Sequence, residues 1–429
     1  MKNLTTFVLL LFLVCSVSSF SQQEKGIFGS SNWLSNWTEF KPIKADYKET
    51  NQIVCCNITS NTTWSKKNTY LLQGAVYVSN GAVLTIEPGT VIRGDSESCA
   101  VLVVSKGATI NAVGTETDPI VFTSNKQSRK AGDWGGVIIL GDAPINKFGG
   151  TTSLNFDLEP DKTIYGGINP QSNSGMFKFV RIEFAGKKLK GFKEFNSLSL
   201  AGVGNKTVIE NVMCSYSGDD SFEVYGGEVN FKRLVSYRAN DDDFHFTQGA
   251  QSNIDNSLAV RNPFYSNASS RCIQINSYEK KSDADFSKKQ TAVVATNCTF
   301  INDSETLPQD IAGGLIKEGI YVAENTSLTV KRSVISGFFP AVVLSSVIDI
   351  GDLANLKKIK FDEVYFNNCT GNIFTEFNSN NADLEDWYGR NMFLNVYSQG
   401  DNKEIFIDIK NQRDPDFRIQ ISKIVGQNK

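Results

Sequence analysis

The chain has 429 residues, 40% of them hydrophobic, with 43 basic against 46 acidic side chains and a net charge of −3. That balance supplies no electrostatic footprint for nucleic acid or anionic lipid, so neither is expected as a partner. A single histidine, His245, excludes histidine-rich zinc sites and confines any Ser-His-Asp arrangement to its own surroundings.

At the N-terminus, Lys2 precedes an apolar run from Phe7 to Val14, and small residues follow at Ser19 and Ser21. This pattern predicts a signal peptide over residues 1–21, cleaved after Ser21. The run is too short to span a bilayer, and no later stretch reaches the roughly 18 apolar residues a transmembrane helix needs. The mature chain is therefore expected outside the inner membrane, secreted or at the cell surface, with the periplasm as the alternative. Val14 before Cys15 is not the small residue that a lipidated cysteine requires.

Residues 22–65, with Trp33, Trp37 and Trp64, lack periodicity and read as an irregular aromatic N-terminal cap. Seven cysteines remain after cleavage, an odd number without Cys-x-x-Cys spacing, so most read as small buried hydrophobes. The vicinal pair is the exception. A disulfide, if present, is expected at Cys55 or Cys56, with a partner the sequence does not assign.

From about Tyr70 the chain becomes a succession of short Val, Ile, Leu and Phe runs broken by Gly, Asn and Asp, a pattern of strand and turn. Helical leanings are confined to Ser282–Gln290 and Ala382–Tyr388. Two internal repeats set the architecture. Val78-Ser79-Asn80-Gly81-Ala82 returns 26 residues later as Val104-Ser105-Lys106-Gly107-Ala108, and Asp219-Asp220-Ser221-Phe222 returns 22 residues later as Asp241-Asp242-Asp243-Phe244. A propeller blade is about 40 residues long, whereas a unit of two or three short strands suits one turn of a parallel β-coil, stacked about 4.8 Å from the next. The fold class expected is all-β, a right-handed parallel β-helix over residues 66–400. Residues 401–429, charged and strand-like, read as the C-terminal cap that shields the last open edge.

Leu84-Thr85-Ile86-Glu87-Pro88-Gly89-Thr90, Pro119-Ile120-Val121-Phe122-Thr123-Ser124, Gly132-Asp133-Trp134-Gly135-Gly136 and Val180-Arg181-Ile182-Glu183-Phe184 together resemble the exported β-helix proteins, of pectate-lyase-like fold, of gliding-type Gram-negative bacteria. The resemblance runs from about Thr59 to Phe339. It implies a cell-surface, adhesin-like protein and no agreed reaction. Many relatives carry a lipidation cysteine or a C-terminal sorting domain, and neither is recognisable here.

The chemistry-bearing residues cluster in the acidic turns. In a 22-residue register Asp219 lies below Asp241 and Asp220 below Asp242, like charges one rung apart that must be neutralised, splayed or bridged by a cation. Asp219, Asp220, Asp242 and His245 are the candidate catalytic residues, because glycoside hydrolysis needs two carboxylates about 5 to 10 Å apart. Gly218-Asp219-Asp220 resembles the Gly-Asp-Asp of polygalacturonases, but the neighbouring turns lack the Asn-x-Asp and Gly-His-Gly of those enzymes. A calcium-dependent lyase would need a base, for which Lys232 and Arg238 are nearest in sequence. Calcium itself is a candidate cofactor, with Asp219, Asp220, Glu223, Asp241, Asp242 and Asp243 as oxygen ligands. The simpler alternative is that these aspartates stabilise strand corners through local backbone hydrogen bonds. Within Phe244-His245-Phe246, alternation makes His245 an outward-facing strand residue. Trp134, Tyr216, Tyr225 and Tyr237 are candidates to stack on sugar rings, with packing into the core as the alternative. The function expected is a binding or adhesion scaffold for extracellular polysaccharide or a surface protein. A polysaccharide hydrolase or lyase acting through residues 219–243 is the alternative.

Overall fold

The computed structural model describes residues 25–267, 270–369, 371–378 and 381–420. The signal-peptide and Cys15 readings, and the chain beyond residue 420, lie outside the described residues. None of the described helices is long and apolar enough to cross a membrane.

The chain is a right-handed parallel β-helix. Nineteen strands form one sheet system and ten form the facing sheet, whose rungs include Val101–Val104, Gly136–Leu140, Leu198–Ala201, Phe222–Tyr225 and Phe244–Thr247. Both repeats read from the sequence are rungs of the coil. Ala75 pairs with Val101 and Val83 with Thr109, at the 26-residue offset, while Phe222 pairs with Phe244 at the 22-residue offset. Alternate side chains enter the lumen, where Leu102, Val137, Leu198, Phe222 and Phe244 belong to one continuous buried core.

One corner of the coil is made by single left-handed residues. Phe179, Asn211, Arg233, Asn256, Asn297, Arg332 and Glu363 have φ between 46° and 57°. The strand registers stack them in a single column. One such residue turns the strand while the pairing continues on either side. Asparagine tolerates this conformation best, and it occupies three of the seven positions.

The coil begins earlier than residue 66. Gln52–Val54 pairs with Thr69–Leu72, and Thr62–Trp64 pairs with Leu84–Ile86, so Trp64 belongs to the first turn and stacks on Tyr70. Residues 25–50 do not cover the end of the coil. They form a strap along its flank, running against the direction of winding. The backbone N–H of Gly26 donates to Arg332, that of Phe28 to Asn256, the Tyr47 hydroxyl to Glu183, and the N–H of Asn51 to Thr69. Trp33, Trp37 and Phe40 pack in this strap against Met213, Tyr237 and Val260 of the coil.

Residues 401–420 also lie on the flank, where Phe417 meets Phe40 and the Arg418 guanidinium donates to Gly29 of the strap. The last turn is closed instead by the helix Ala382–Tyr388, which buries Leu384 and sets Tyr388 edge-on to Phe361. That helix was legible in the sequence. In contrast, Ser282–Gln290 contributes no α-helix, only part of a 3-10 turn at Lys281–Asp283.

All seven described cysteines are free. Cys214, Cys272, Cys298 and Cys369 are buried in the core. Cys55 and Cys56 are exposed with their sulfurs 3.7 Å apart, and neither is bridged to another strand.

Candidate functional site

The acidic turns lie where the facing sheet meets the corner before it, in consecutive rungs. Gly218 permits the close stacking of these turns, because a Cβ there would sit 2.4 Å from the Gly186 carbonyl oxygen. The aspartates that follow lie in the turns before the strands Phe222–Tyr225 and Phe244–Thr247, outside the strand alternation. Asp220 and Asp242 form one outward column, whereas Asp243 turns to the opposite side, where Arg261 meets it at 2.9 Å and Ser236 donates to its other oxygen. Both Asp243 and Arg261 are buried, a charge pair inside the fold.

Asp220 and Asp242 bond the next rung. The N–H of Asp242 donates to Asp220 Oδ1 at 2.8 Å, and the N–H of Arg271 donates to Asp242 Oδ1 at 2.7 Å. This carboxylate-to-amide ladder supplements the backbone pairing and satisfies donors that would otherwise be buried without a partner. The remaining oxygen of Asp220 faces His245 Nδ1 at 3.1 Å, and Glu223 Oε1 lies 3.5 Å from the same nitrogen.

His245 points out of the lumen, as alternation requires, but it is not exposed: 9% of its surface reaches solvent. Gln274 and Asn276 of the next rung stand at its Nε2, and a distant segment covers the adjoining Glu223. Lys193 reaches across the sheet to Glu223 at 2.6 Å and to Glu279 at 3.2 Å, above the ring of Tyr225. Phe195 is held down by Phe156, and Tyr165 donates to Gln248.

The electrostatics follow from burial and like charge. Burial, and then the neighbouring Asp220 and Asp241 carboxylates, push the Asp219 carboxyl up to about 9. Burial also raises Asp220 and Asp242. For His245, burial opposes the charged form, but the Asp220 hydrogen bond and the Glu223 carboxylate outweigh it, and the imidazole is raised to about 9. Glu223 goes the other way. Lys193 and His245 overcome its burial and hold it below the ordinary carboxylate range. The like charges of the cluster are thus offset by a proton held on Asp219 and by the cations Lys193 and His245. The Asn276 amide nitrogen lies 3.2 Å from His245 Nε2 while its Oδ1 is buried without a partner. Turning the amide over lets Oδ1 accept from the imidazolium, which satisfies both groups.

The six oxygen donors expected for calcium do not assemble. One ligand atom each from Asp219, Asp220 and Asp241 lies within 4.8 Å of the others, as does one each from Asp220, Glu223 and His245. Asp243 is committed to Arg261, and Glu223 to Lys193, Asn196 and Tyr225. The basic residues near the site are Lys193 and Arg271. Arg238, considered as a base, is paired with Asp303 at 2.8 Å in a different cleft, and Lys232 faces solvent on the strand Phe231–Tyr237. Of the candidate sugar-stacking aromatics, Trp134, Tyr216, Tyr225 and Tyr237 are all buried, Trp134 completely.

A further opening lies elsewhere. A cleft of about 1050 Å³ separates the coil from the strap and the C-terminal segment, lined by residues including Lys41, Tyr237, Phe264, Asp303, Lys403 and Lys410. No signal in the sequence marks it, because its walls come from three segments far apart in the chain.

Residues 56–400 match the pectate-lyase-like β-helix domain, and the chain belongs to that family. No curated protein matches the chain. Among solved structures it is similar to the crystal structure of pectate lyase Pel9A, at 11% identity and a TM-score of 0.36 over 84% of each chain.

Proposed function

We propose that this protein is an exported, non-catalytic scaffold that binds extracellular polysaccharide. The observation that supports this reading is the direction of the carboxylates. Asp220 and Asp242 are 4% and 2% exposed and each gives an oxygen to a backbone amide of the next turn, so neither faces a groove that could hold a glycosidic bond. A hydrolase or lyase needs those groups open to substrate and free to exchange protons with it. Here they strengthen the stack, and the stack supports a long surface on which binding needs no chemistry.

The test is retention of the mature protein on a panel of immobilised polysaccharides, read together with release of reducing or unsaturated ends. Retention without release is expected. Release that disappears in Asp220→Asn or Asp242→Asn would replace this reading with the enzymatic one.

A further inference from the structure

The cleft between coil, strap and C-terminal segment carries a charge pattern unlike that of the whole chain. Lys41 and Lys44 enter it from the strap, and Lys403 and Lys410 from the C-terminal segment. Among the described residues these four lysines form no ion pair; Lys41 donates to the neutral side chain of Gln412. The acidic lining is Asp303, Glu305 and Asp401. Of these, Asp303 is paired with Arg238 at 2.8 Å and accepts from Asn262 at 2.6 Å, while Glu305 and Asp401, which accepts from Lys403 N–H, keep their charge, so the four lysines exceed the remaining carboxylates by two. The chain as a whole carries a net −3, so an excess of unmatched lysines here is a local feature.

The second feature is aromatic. Phe264 stands at the cleft with 76% of its surface exposed, a large apolar ring with no core to fill. Tyr216, Tyr237 and Arg238 also line the cleft; Tyr216 packs edge to face on Tyr237 and Tyr265, and the Arg238 guanidinium lies over the rings of Tyr237 and Tyr265 at 4.9 and 5.2 Å. A packed aromatic wall, an exposed ring and lysines around the rim match a ligand with flat apolar faces and repeated negative charge.

We propose that this cleft is the polymer-binding site and that its ligand is an anionic polysaccharide, carboxylated or sulfated. The proposal rests on the scaffold reading above and adds the site and the charge of the ligand. The lysines match the charge of successive sugar units, and Phe264 stacks on a ring between them. The acidic ladder and His245 take no part.

The experiment is gel retardation of the full mature chain in polygalacturonate, dextran sulfate or uncharged dextran. Four proteins are compared: wild type, the K41Q/K44Q/K403Q/K410Q variant, F264A, and a control, K66Q/K67Q/K206Q/K357Q, with the same charge change at exposed sites elsewhere. Wild type is expected to be retarded by a charged polymer, less as salt is added, and not by dextran. The cleft variant is expected to bind about tenfold or more weakly at low salt, F264A to weaken without changing the salt dependence, and the control to match wild type. Preference between the two charged polymers identifies carboxylate or sulfate as the recognised group. Equal retardation by dextran, or equal weakening in cleft variant and control, overturns the proposal while leaving the scaffold reading standing. If no polymer retards wild type, both fail.

Discussion

At the level of single residues, the acidic turns show how one repeated motif divides between two roles. Asp242 and Asp243 are adjacent, yet the turn before the strand sends one to a backbone amide and the other to a buried arginine. Removing one partner of such a pair leaves the other charge stranded. Arg261→Met should therefore destabilise the protein by about 3 kcal/mol near pH 8 in denaturant titrations. Because burial raises the Asp243 carboxyl, the loss should shrink as pH is lowered and Asp243 takes a proton. His245 and Asp219 both have folded-state values raised to about 9. A raised value means the folded state holds its proton more tightly than the unfolded chain, so the stabilisation is complete at low pH and is lost as pH rises through the folded value. Melting temperature should fall between about pH 6.5 and pH 9 as His245 loses its charge. Asp219→Asn should remove the cost of keeping a proton on a buried carboxyl, raising stability by on the order of 1 kcal/mol near pH 8, with a smaller gain toward pH 4. A melting temperature that is flat or rises over that interval would contradict the assigned imidazolium.

At the scale of elements, the parts legible in the sequence are those governed by local spacing. The 26- and 22-residue repeats are visible because each rung needs the same glycine turn and the same alternation of apolar side chains, as Val83 above Thr109 and Phe222 below Phe244 show. The outward direction of His245 was legible for the same reason, since Phe244 and Phe246 on either side fill the lumen. Its burial was not, because the groups around the ring, Asp220, Glu223, Gln274 and Asn276, come from neighbouring rungs 22 to 31 residues away. The strap was hidden for a related reason. It has no period, and its partners Asn256 and Arg332 lie more than 200 residues away, joined to it by a corner asparagine that accepts from Phe28 N–H and Trp33 Nε1–H. Trp37 anchors the strap, fully buried against Trp33 and Phe179. Trp37→Ala should cost about 3 to 5 kcal/mol if the strap folds with the coil. Hydrogen exchange would show faster opening spread along residues 25–50. Exchange unchanged in that segment would mean that the strap is held by other contacts.

At the scale of the molecule, two flank segments convert a repetitive coil into a surface with one distinctive cleft. The facing sheet, whose acidic column first suggests catalysis, is covered near Glu223 and His245. The flank that reads as end caps in the sequence instead frames the opening. Both oxygens of Asp220 already have protein partners, Asp242 N–H and His245, so excess chelator should leave the melting temperature unchanged. A fall on chelation would place a cation among Asp219, Asp220 and Asp241.

The account turns on the carboxylate ladder being structural. The most direct measurement compares the Asp220→Asn/Asp242→Asn double variant with wild type for polymer retention, product release and melting temperature in one series. The ladder predicts a changed melting temperature, unchanged retention, and no released ends from either protein; released ends from wild type that vanish in the variant would contradict it.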